Sequence, residues 1–98
     1  MFKGWFKKTD FAQLLKDGAV IIDVRSPQEY SQGAIPGSEN IPVGSIPSRT
    51  KQIKSLEVPI ICVCASGMRS GSAKAQLKAA GVEAYNGGPW TKMIPYVD

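Results

Sequence analysis

The sequence predicts an α/β domain with a mainly parallel β-sheet flanked by helices. Two short continuous apolar runs, residues 19–22 and 60–63, have the composition of strands that are covered on both faces, as the strands of parallel sheets are. Helical segments alternate with these runs, which is the pattern of a parallel sheet with crossover helices. Ligands bind such sheets beyond the carboxyl ends of the strands. Asp23 and Cys64 directly follow the two runs, so we expect both to lie near a functional site.

The composition is that of an ordinary folded domain and argues against several partners. The chain has 98 residues, enough for one domain with a modest hydrophobic core. Apolar residues make up 43% and charged residues 20%, and no apolar run approaches the length of a membrane span. The formal net charge is +4, but the basic residues do not form the stripe with interleaved aromatics that nucleic-acid-binding proteins carry. We therefore expect neither a nucleic-acid partner nor a membrane span.

The chain is predicted to consist of an N-terminal leader, residues 1–8, and one domain, residues 9–98. The leader carries aromatic and lysine side chains, but it lacks the continuous apolar stretch and the small-residue cleavage site of a secretory signal. The first helix of the domain begins at a cap on Thr9 or Asp10 and extends to about Lys16.

The second helix carries a complete start signal. Ser26 can cap it, Pro27 suits its first position, and Glu29 at the third position completes a capping box. Residues 38–41 follow as a predicted short strand, and Pro42 indicates that this strand is at an edge or ends there.

The second half of the chain alternates in the same way. Residues 43–55 carry a weaker helix signal, which Pro47 interrupts. After the second buried run, an alanine-rich helix is predicted to start at Arg69 or Ser70 and to stop at Gly81. The remaining segments are predicted as a strand, a turn and a final helical turn, at residues 82–85, 86–89 and 90–93.

The chain contains no histidine, and this absence excludes whole mechanisms. It removes the Ser-His-Asp triad, the Cys-His dyad and any imidazole metal site. The two cysteines, Cys62 and Cys64, are too few for a four-ligand zinc site, and we expect neither a metal nor a cofactor. Their Cα atoms should lie about 6.5–7 Å apart on one face of a strand, near the limit for a disulfide. Reduced thiols indicate the cytoplasm.

The loop after the second buried run favours a reactive cysteine. The helix that follows Cys64 offers unpaired backbone amides and the positive end of its dipole, and Gly67 gives the loop the freedom to direct amides at one point. Negative charge on the sulfur should be stabilised, so the pKa of Cys64 should fall below the free value of about 8.5. This would supply thiolate at neutral pH without a general base.

The neighbours of Cys64 allow more than one role. Arg69 either binds an anionic substrate group or holds the loop carbonyls. Ser66 and Ser70 either donate hydroxyl hydrogens to the sulfur or to an oxyanion, or act as helix caps, which we favour for Ser70. Cys62, inside the strand, is expected to be a small buried hydrophobe. Four residues separate Cys64 from Arg69, one fewer than in cysteine phosphatases, and this shorter loop suits a sulfur atom better than a tetrahedral oxyanion.

Several segments together resemble the signatures of single-domain rhodaneses. They are residues 23–30, residues 33–42, residues 64–70, and Gly87-Gly88 with Trp90. The resemblance covers nearly the whole chain, from about Thr9 to Met93. It implies a rhodanese-like three-layer domain with a five-stranded, mostly parallel sheet flanked by helices.

The resemblance also implies an activity and a set of site residues. Cys64 would accept sulfane sulfur from thiosulfate or a persulfide donor and pass it to cyanide or a thiol, including that of a protein sulfur carrier. Asp23 and Arg25 would support the loop without reacting, with an Arg25–Glu29 ion pair as a further contact. The backbone amides that would hold the persulfide belong to Ala65, Ser66, Gly67, Met68 and Arg69.

Two positions depart from the family pattern. Ala34 stands where the second signature often has histidine, a position we interpret as structural. Ala65 stands where thiosulfate-using members often carry a basic residue, which favours a less charged persulfide donor. The alternative to a sulfurtransferase is a persulfide-sensing or protein-binding module with little turnover. Phosphatase or arsenate-reductase chemistry is disfavoured by the loop length.

Overall fold

The computed structural model describes residues 8–97, so the predicted leader lies outside the described residues except for Lys8. The helices and strands are, in chain order, α1 (Phe11–Lys16), β1 (Val20–Asp23), α2 (Pro27–Ser31), β2 (Glu39–Asn40), α3 (Ile46–Lys54), β3 (Ile60–Cys64), α4 (Met68–Ala79) and β4 (Ala84–Pro89). Two 3-10 helices, Val43–Ser45 and Trp90–Tyr96, precede α3 and follow β4. None of the helices formed by these described residues is long and apolar enough to cross a membrane.

The sheet confirms the predicted fold class. Its strands lie in the order β2-β1-β3-β4, and every neighbouring pair is parallel. Residues 8–97 form four strands, whereas the family resemblance implied five. Residues 8–10, which precede α1, belong to no strand. Because the sheet is parallel, the carboxyl ends of β1, β3 and β4 meet at one edge.

The predicted start signals of the first two helices are confirmed. The Asp10 carboxylate caps α1 by accepting a hydrogen bond from the Gln13 amide at 3.0 Å. At α2, the Glu29 amide donates to the Ser26 hydroxyl and the Ser26 amide donates to the Glu29 carboxylate, which together form a capping box. These local bonds fix where each helix begins, so the sequence pattern alone suffices to place them.

The expected interruption at Pro47 does not occur. Pro47 lies in the first turn of α3, where a missing backbone N–H costs no helical hydrogen bond. The helix therefore continues to Lys54 and buries Ile46 and Ile53 against the sheet.

The core has two layers, one on each face of the sheet. Successive residues of β3 alternate between them, and all five are buried. Cys62 and Cys64 face the layer that contains Ala73 and Leu77 of α4. The other layer is formed by Ile21, Ile35, Ile61, Val63 and Met93. Both cysteines therefore point toward the helix that follows them.

The prediction for the last strand was wrong at residues 86–89, which continue β4 and do not form a turn. A Cβ on Gly87 would lie 2.9 Å from side-chain carbons of both Ile61 and Val63, so the absence of a side chain lets the strand pass close to β3. The pairing shifts register at this point: Asn86 pairs with Cys62, whereas Pro89 pairs with Cys64. The irregular strand brings residues 86–89 beside the end of β3.

Candidate active site

Cys64 is the last residue of β3, and its sulfur is surrounded by hydrogen-bond donors of the following loop. The side chain is fully buried. The Gly67 amide donates to Sγ at 3.0 Å and the Ser70 amide at 3.4 Å. The Ser70 hydroxyl oxygen lies 3.3 Å from the same sulfur. Helix α4 begins at Met68, slightly earlier than predicted, so its first turn faces the sulfur directly.

Gly67 permits this arrangement for two reasons. Its φ of +99° lies in the left-handed region, which side chains disfavour. A Cβ at this position would also approach the Gly88 Cα at 3.3 Å. The amide at the start of α4 can point at the sulfur only because residue 67 has no side chain.

The hydrogen bonds determine the acidity of Cys64. Burial by itself acts to raise the pKa of this thiol. When Cys64 is ionised, hydrogen bonds from the Ser70 hydroxyl and amide, together with those from the Gly67 and Ser66 amides, outweigh burial and lower the pKa to about 7. This is the direction expected from the loop sequence. A large share of Cys64 is therefore thiolate at neutral pH without a neighbouring base.

Cys62 has the opposite character although it lies on the same strand. Burial, with a smaller contribution from the negative charge of Cys64, raises the pKa of Cys62 to about 12. Both cysteines are free thiols in the structure. Cys62 thus stays protonated near neutral pH and packs as part of the core, as the sequence indicated.

Arg69 and Glu29 form an ion pair that the sequence did not predict. Within residues 8–97 the Arg69 guanidinium donates to no loop carbonyl; it forms a two-pronged ion pair with the Glu29 carboxylate, at 2.7 and 3.0 Å. Both side chains are about two-fifths exposed. The Arg69 guanidinium and the Ser26 amide hold the pKa of Glu29 down to about 2. The expected Arg25–Glu29 ion pair does not form: Arg25 Nη1 donates to the Glu29 backbone carbonyl at 3.5 Å, and the other guanidinium nitrogens bond Asp23 and Gly33.

Asp23 and Arg25 form a buried pair below the site. Two guanidinium nitrogens of Arg25 bond the Asp23 carboxylate at 2.7–3.0 Å, and one of them also donates to the Gly33 carbonyl at 2.8 Å. The guanidinium stacks over the Trp90 ring at 4.7 Å from its centroid. Among the described residues, neither side chain hydrogen-bonds residues 65–69. Any support of the loop is therefore indirect, through the segment around α2 that holds Glu29.

The remaining loop side chains face solvent. Ala65 and Ser66 are exposed, and Met68 is 81% exposed. The Ser66 hydroxyl accepts a hydrogen bond from the Met68 amide at 3.4 Å and does not reach the sulfur, so only the Ser66 backbone contributes there. The exposed tip of the loop thus carries no charge.

Ser70 is not the helix cap that the sequence favoured; its hydroxyl lies 3.3 Å from the Cys64 sulfur, as the other alternative had it. It is buried inside the first turn of α4, and its hydroxyl donates to the Asn86 Oδ1 at 2.7 Å. Asn86 also contacts the loop by donating to the Gly67 carbonyl at 3.0 Å. Sequence reasoning missed Asn86, because residues 86–89 were interpreted as a turn. The available signal for a functional role of Asn86 was its position near the end of a strand, two residues before Gly88.

A cavity of about 350 Å³ lies away from this site. It is at the amino ends of β3 and β4 and is lined by Lys54, Glu57, Val58, Pro59, Gly81, Val82 and Glu83. None of these residues belongs to the Cys64 loop. The cavity therefore plays no part in the chemistry argued for Cys64.

Comparison with known proteins identifies the family that the sequence signatures resemble. The family model described as the Rhodanese-like domain matches residues 7–89. The thiosulfate sulfurtransferase GlpE of Pseudoalteromonas translucida is 39% identical over 82 residues, which are 80% of this chain and 77% of that protein. The GlpE of Pseudomonas fluorescens is 39% identical over 71 residues. This match spans 71% of the chain and 64% of the relative.

A solved structure shows the same architecture. The rhodanese with anions from E. coli superimposes with a TM-score of 0.69 and is 28% identical, covering 76% of this chain and 91% of that one. The family-model match over residues 7–89 spans β1 to β4, the sheet that positions Cys64.

Proposed function

Because this chain belongs to the rhodanese-like domain family, we propose that it is a rhodanese-type sulfurtransferase that carries sulfur as a persulfide on Cys64. The relatives named thiosulfate sulfurtransferase support the class of reaction. The observation that carries the assignment to Cys64 is its sulfur, which accepts hydrogen bonds from the Gly67 and Ser70 amides and has a pKa near 7.

The proposed reaction has two transfers. The Cys64 thiolate attacks the sulfane sulfur of the donor, and the donor's sulfur–sulfur bond breaks. The remainder, sulfite or a thiolate, leaves with the bonding electron pair. A thiophilic acceptor, cyanide or a thiolate, then attacks the outer sulfur of the persulfide, and Cys64 leaves as thiolate. Sulfur moves without a net oxidant or reductant, and the backbone amides of residues 65–69 stabilise the charge on the outer sulfur.

The charges around the site favour a persulfide over thiosulfate as the preferred donor. Arg69 is paired with Glu29 and Arg25 with Asp23, so each of these cations is already balanced by a carboxylate. Ala65 adds no charge at the exposed tip of the loop. A doubly charged donor gains little from such a site, whereas a less charged persulfide is not disfavoured.

The acceptor and the compartment are part of the same proposal. The uncharged, exposed tip around Met68 leaves room for a thiol presented by a small molecule or by a protein sulfur carrier. Two free thiols, one of which must remain reactive, suit the reducing conditions of the cytoplasm.

Mass spectrometry of the intact protein tests the proposal. Incubation with thiosulfate or with a small alkyl persulfide should add about 32 Da at Cys64, and the persulfide should load it faster. Subsequent addition of cyanide should remove the added mass and release thiocyanate repeatedly. Cys62→Ser protein is the matched control and should load normally, whereas Cys64→Ser should not.

Two outcomes would contradict this proposal. If Cys64 alkylates readily but gains no sulfur from any donor, it is not a sulfur carrier. If it loads once but is not turned over by cyanide or thiols, the domain is a persulfide-sensing or protein-binding module and not an enzyme.

A further inference from the structure

Asn86 on β4 hydrogen-bonds the middle of the loop that surrounds Cys64 and the first turn of α4. Its Nδ2 donates to the Gly67 carbonyl at 3.0 Å, and its Oδ1 accepts from the Ser70 hydroxyl at 2.7 Å and from the Gly88 amide at 2.8 Å. These partners fix the orientation of the side-chain amide, because the carbonyl can only accept and the Gly88 N–H can only donate. Asn86 therefore presents an oxygen, and not a nitrogen, to Ser70.

The Ser70 hydroxyl has a single hydrogen and two acceptors. Its oxygen lies 2.7 Å from the Asn86 Oδ1 and 3.3 Å from the Cys64 sulfur. While the hydrogen points at Asn86, the hydroxyl oxygen can accept the S–H of a neutral Cys64. When Cys64 is a thiolate, the sulfur can only accept, and the hydroxyl must turn away from Asn86 to donate to it. The two arrangements exclude each other.

We propose that Asn86 is a positioning residue that competes with the Cys64 sulfur for the Ser70 hydrogen and so favours the states in which this sulfur is uncharged. The link to catalysis rests on the proposed function: the sulfur is charged in the free thiolate, but in the persulfide the charge moves to the outer sulfur. The Gly67 and Ser70 amides donate to the Cys64 sulfur both in the thiol and in the thiolate. Asn86 thus shifts the balance from the empty thiolate toward the loaded protein without using a charged group.

The ionisable groups near Cys64 do not duplicate this effect. Arg69 of the same loop is paired with Glu29 of α2, and Asp23 is paired with Arg25 after β1. The pKa values of Glu29 and Cys62, about 2 and about 12, are far from neutrality. Residues 86–89 of β4 carry no titratable side chain. Asn86 therefore acts on the Cys64 sulfur through the Ser70 hydroxyl.

A double-mutant cycle separates this competition from a merely structural role. The four proteins are wild type, Asn86→Ala, Ser70→Ala and the double variant, and the readout is the rate at which iodoacetamide alkylates Cys64 between about pH 5 and pH 9. Removing the Asn86 contact to Gly67 loosens the loop equally in both backgrounds, so that effect cancels. Release of the hydroxyl to the thiolate occurs only where Ser70 is present.

The expected result is a coupling of defined sign. The quantity compared is the ratio of the alkylation rate of the Asn86→Ala protein to that of its parent at about pH 6. This ratio should be about three- to tenfold higher when Ser70 is present than in the Ser70→Ala background. The midpoint of the pH profile should move correspondingly toward lower pH. Equal changes in the two backgrounds, or a coupling of the opposite sign, would overturn the proposal.

A second variant keeps the test decisive if Asn86→Ala does not fold. Asn86→Asp retains an oxygen that accepts from the Ser70 hydroxyl and makes it a stronger acceptor. The hydroxyl should then donate less readily to the Cys64 thiolate. The pH midpoint of alkylation should therefore rise more when Ser70 is present than in the Ser70→Ala background. Equal shifts again contradict the proposal. Alkylation requires no sulfur donor, so these results stand whether or not Cys64 proves to transfer sulfur.

Discussion

At the scale of single residues, the two cysteines show how position sets chemistry. They are two residues apart on β3 and face the same core layer. Cys64 lies where the strand ends and the amides of a helix start converge. Cys62 has no such donors, and burial together with the nearby charge of Cys64 raises its pKa. The difference in acidity comes from the Ser70 hydroxyl and from the backbone amides of Ser66, Gly67 and Ser70, which bond Cys64 and not Cys62.

This contrast predicts selective alkylation. Iodoacetamide should modify Cys64 with a pH midpoint near 7 and leave Cys62 unmodified in the folded protein. Below the midpoint the thiol is protonated, so the rate should fall about tenfold for each lower pH unit, and above it the rate should level off. Peptide mapping after timed labelling checks both statements. Urea-unfolded protein is the control, in which both cysteines should react alike.

A second residue-scale prediction concerns Gly67→Ala. The alanine would have to adopt a left-handed backbone conformation, and its methyl group would press against the Gly88 Cα. The free energy of unfolding should therefore fall by about 1–2 kcal/mol. Relaxation of the strain would also turn the amide away from the sulfur and lower the thiolate fraction of Cys64. Urea denaturation and the alkylation profile measure the two effects.

Gly44→Ala is the matched control for this change. Gly44 has no positive φ, and a methyl group added to it would meet nothing within 4 Å, so its replacement should alter neither stability nor alkylation appreciably. If Gly67→Ala behaves like Gly44→Ala, the glycine is not required for the loop geometry.

At the scale of elements, α2 stabilises the Cys64 loop through an ion pair. The Glu29 carboxylate completes the capping box of α2 and also holds the Arg69 guanidinium. One side chain therefore fixes the start of a helix and neutralises the cation nearest the exposed loop.

Glu29→Gln should free that cation while keeping an oxygen for the cap. The unpaired Arg69 would attract anions, so kcat/KM for thiosulfate should rise about two- to fivefold, and the gain should shrink at high salt. Steady-state assays with thiosulfate and cyanide at two ionic strengths measure it. Glu57→Gln, at the opposite edge of the sheet, should have no effect; a similar gain there would mean that only net charge matters.

The sequence predicted elements well where the determining contacts are local. The capping box of α2 and the buried run of β3 involve residues that are near each other in the chain, and both were predicted. The continuation of β4 through Asn86 and Gly87 depends on close packing against Ile61 and Val63, which no local pattern encodes. The pairing of Arg69 with Glu29 and that of Ser70 with Asn86 were missed for the same reason, since each partner lies on an element distant in sequence.

At the scale of the whole molecule, the site depends on the packing of α4 against the sheet. Leu77 is fully buried in the same core layer as Cys62 and Cys64. The helix that delivers the donor amides is thus held in place by contacts well away from the sulfur.

Leu77→Ala should therefore destabilise the protein by about 2–5 kcal/mol through the cavity it leaves. In a domain of this size that is a large part of the total stability. Urea denaturation followed by circular dichroism measures the loss. Lys78→Ala, on the exposed side of the same helix, should change stability little, and equal losses would argue against the described packing of α4.

The stacking of Trp90 on the Arg25 guanidinium has a spectroscopic consequence. The indole lies directly over the buried Asp23–Arg25 pair and follows Pro89, the residue in register with Cys64. The other tryptophan of the chain is Trp5, outside the described residues. In a Trp5→Phe background, the fluorescence of Trp90 alone would report on the integrity of this pair. Loss of the Asp23–Arg25 pair could then be monitored by tryptophan emission without an added label.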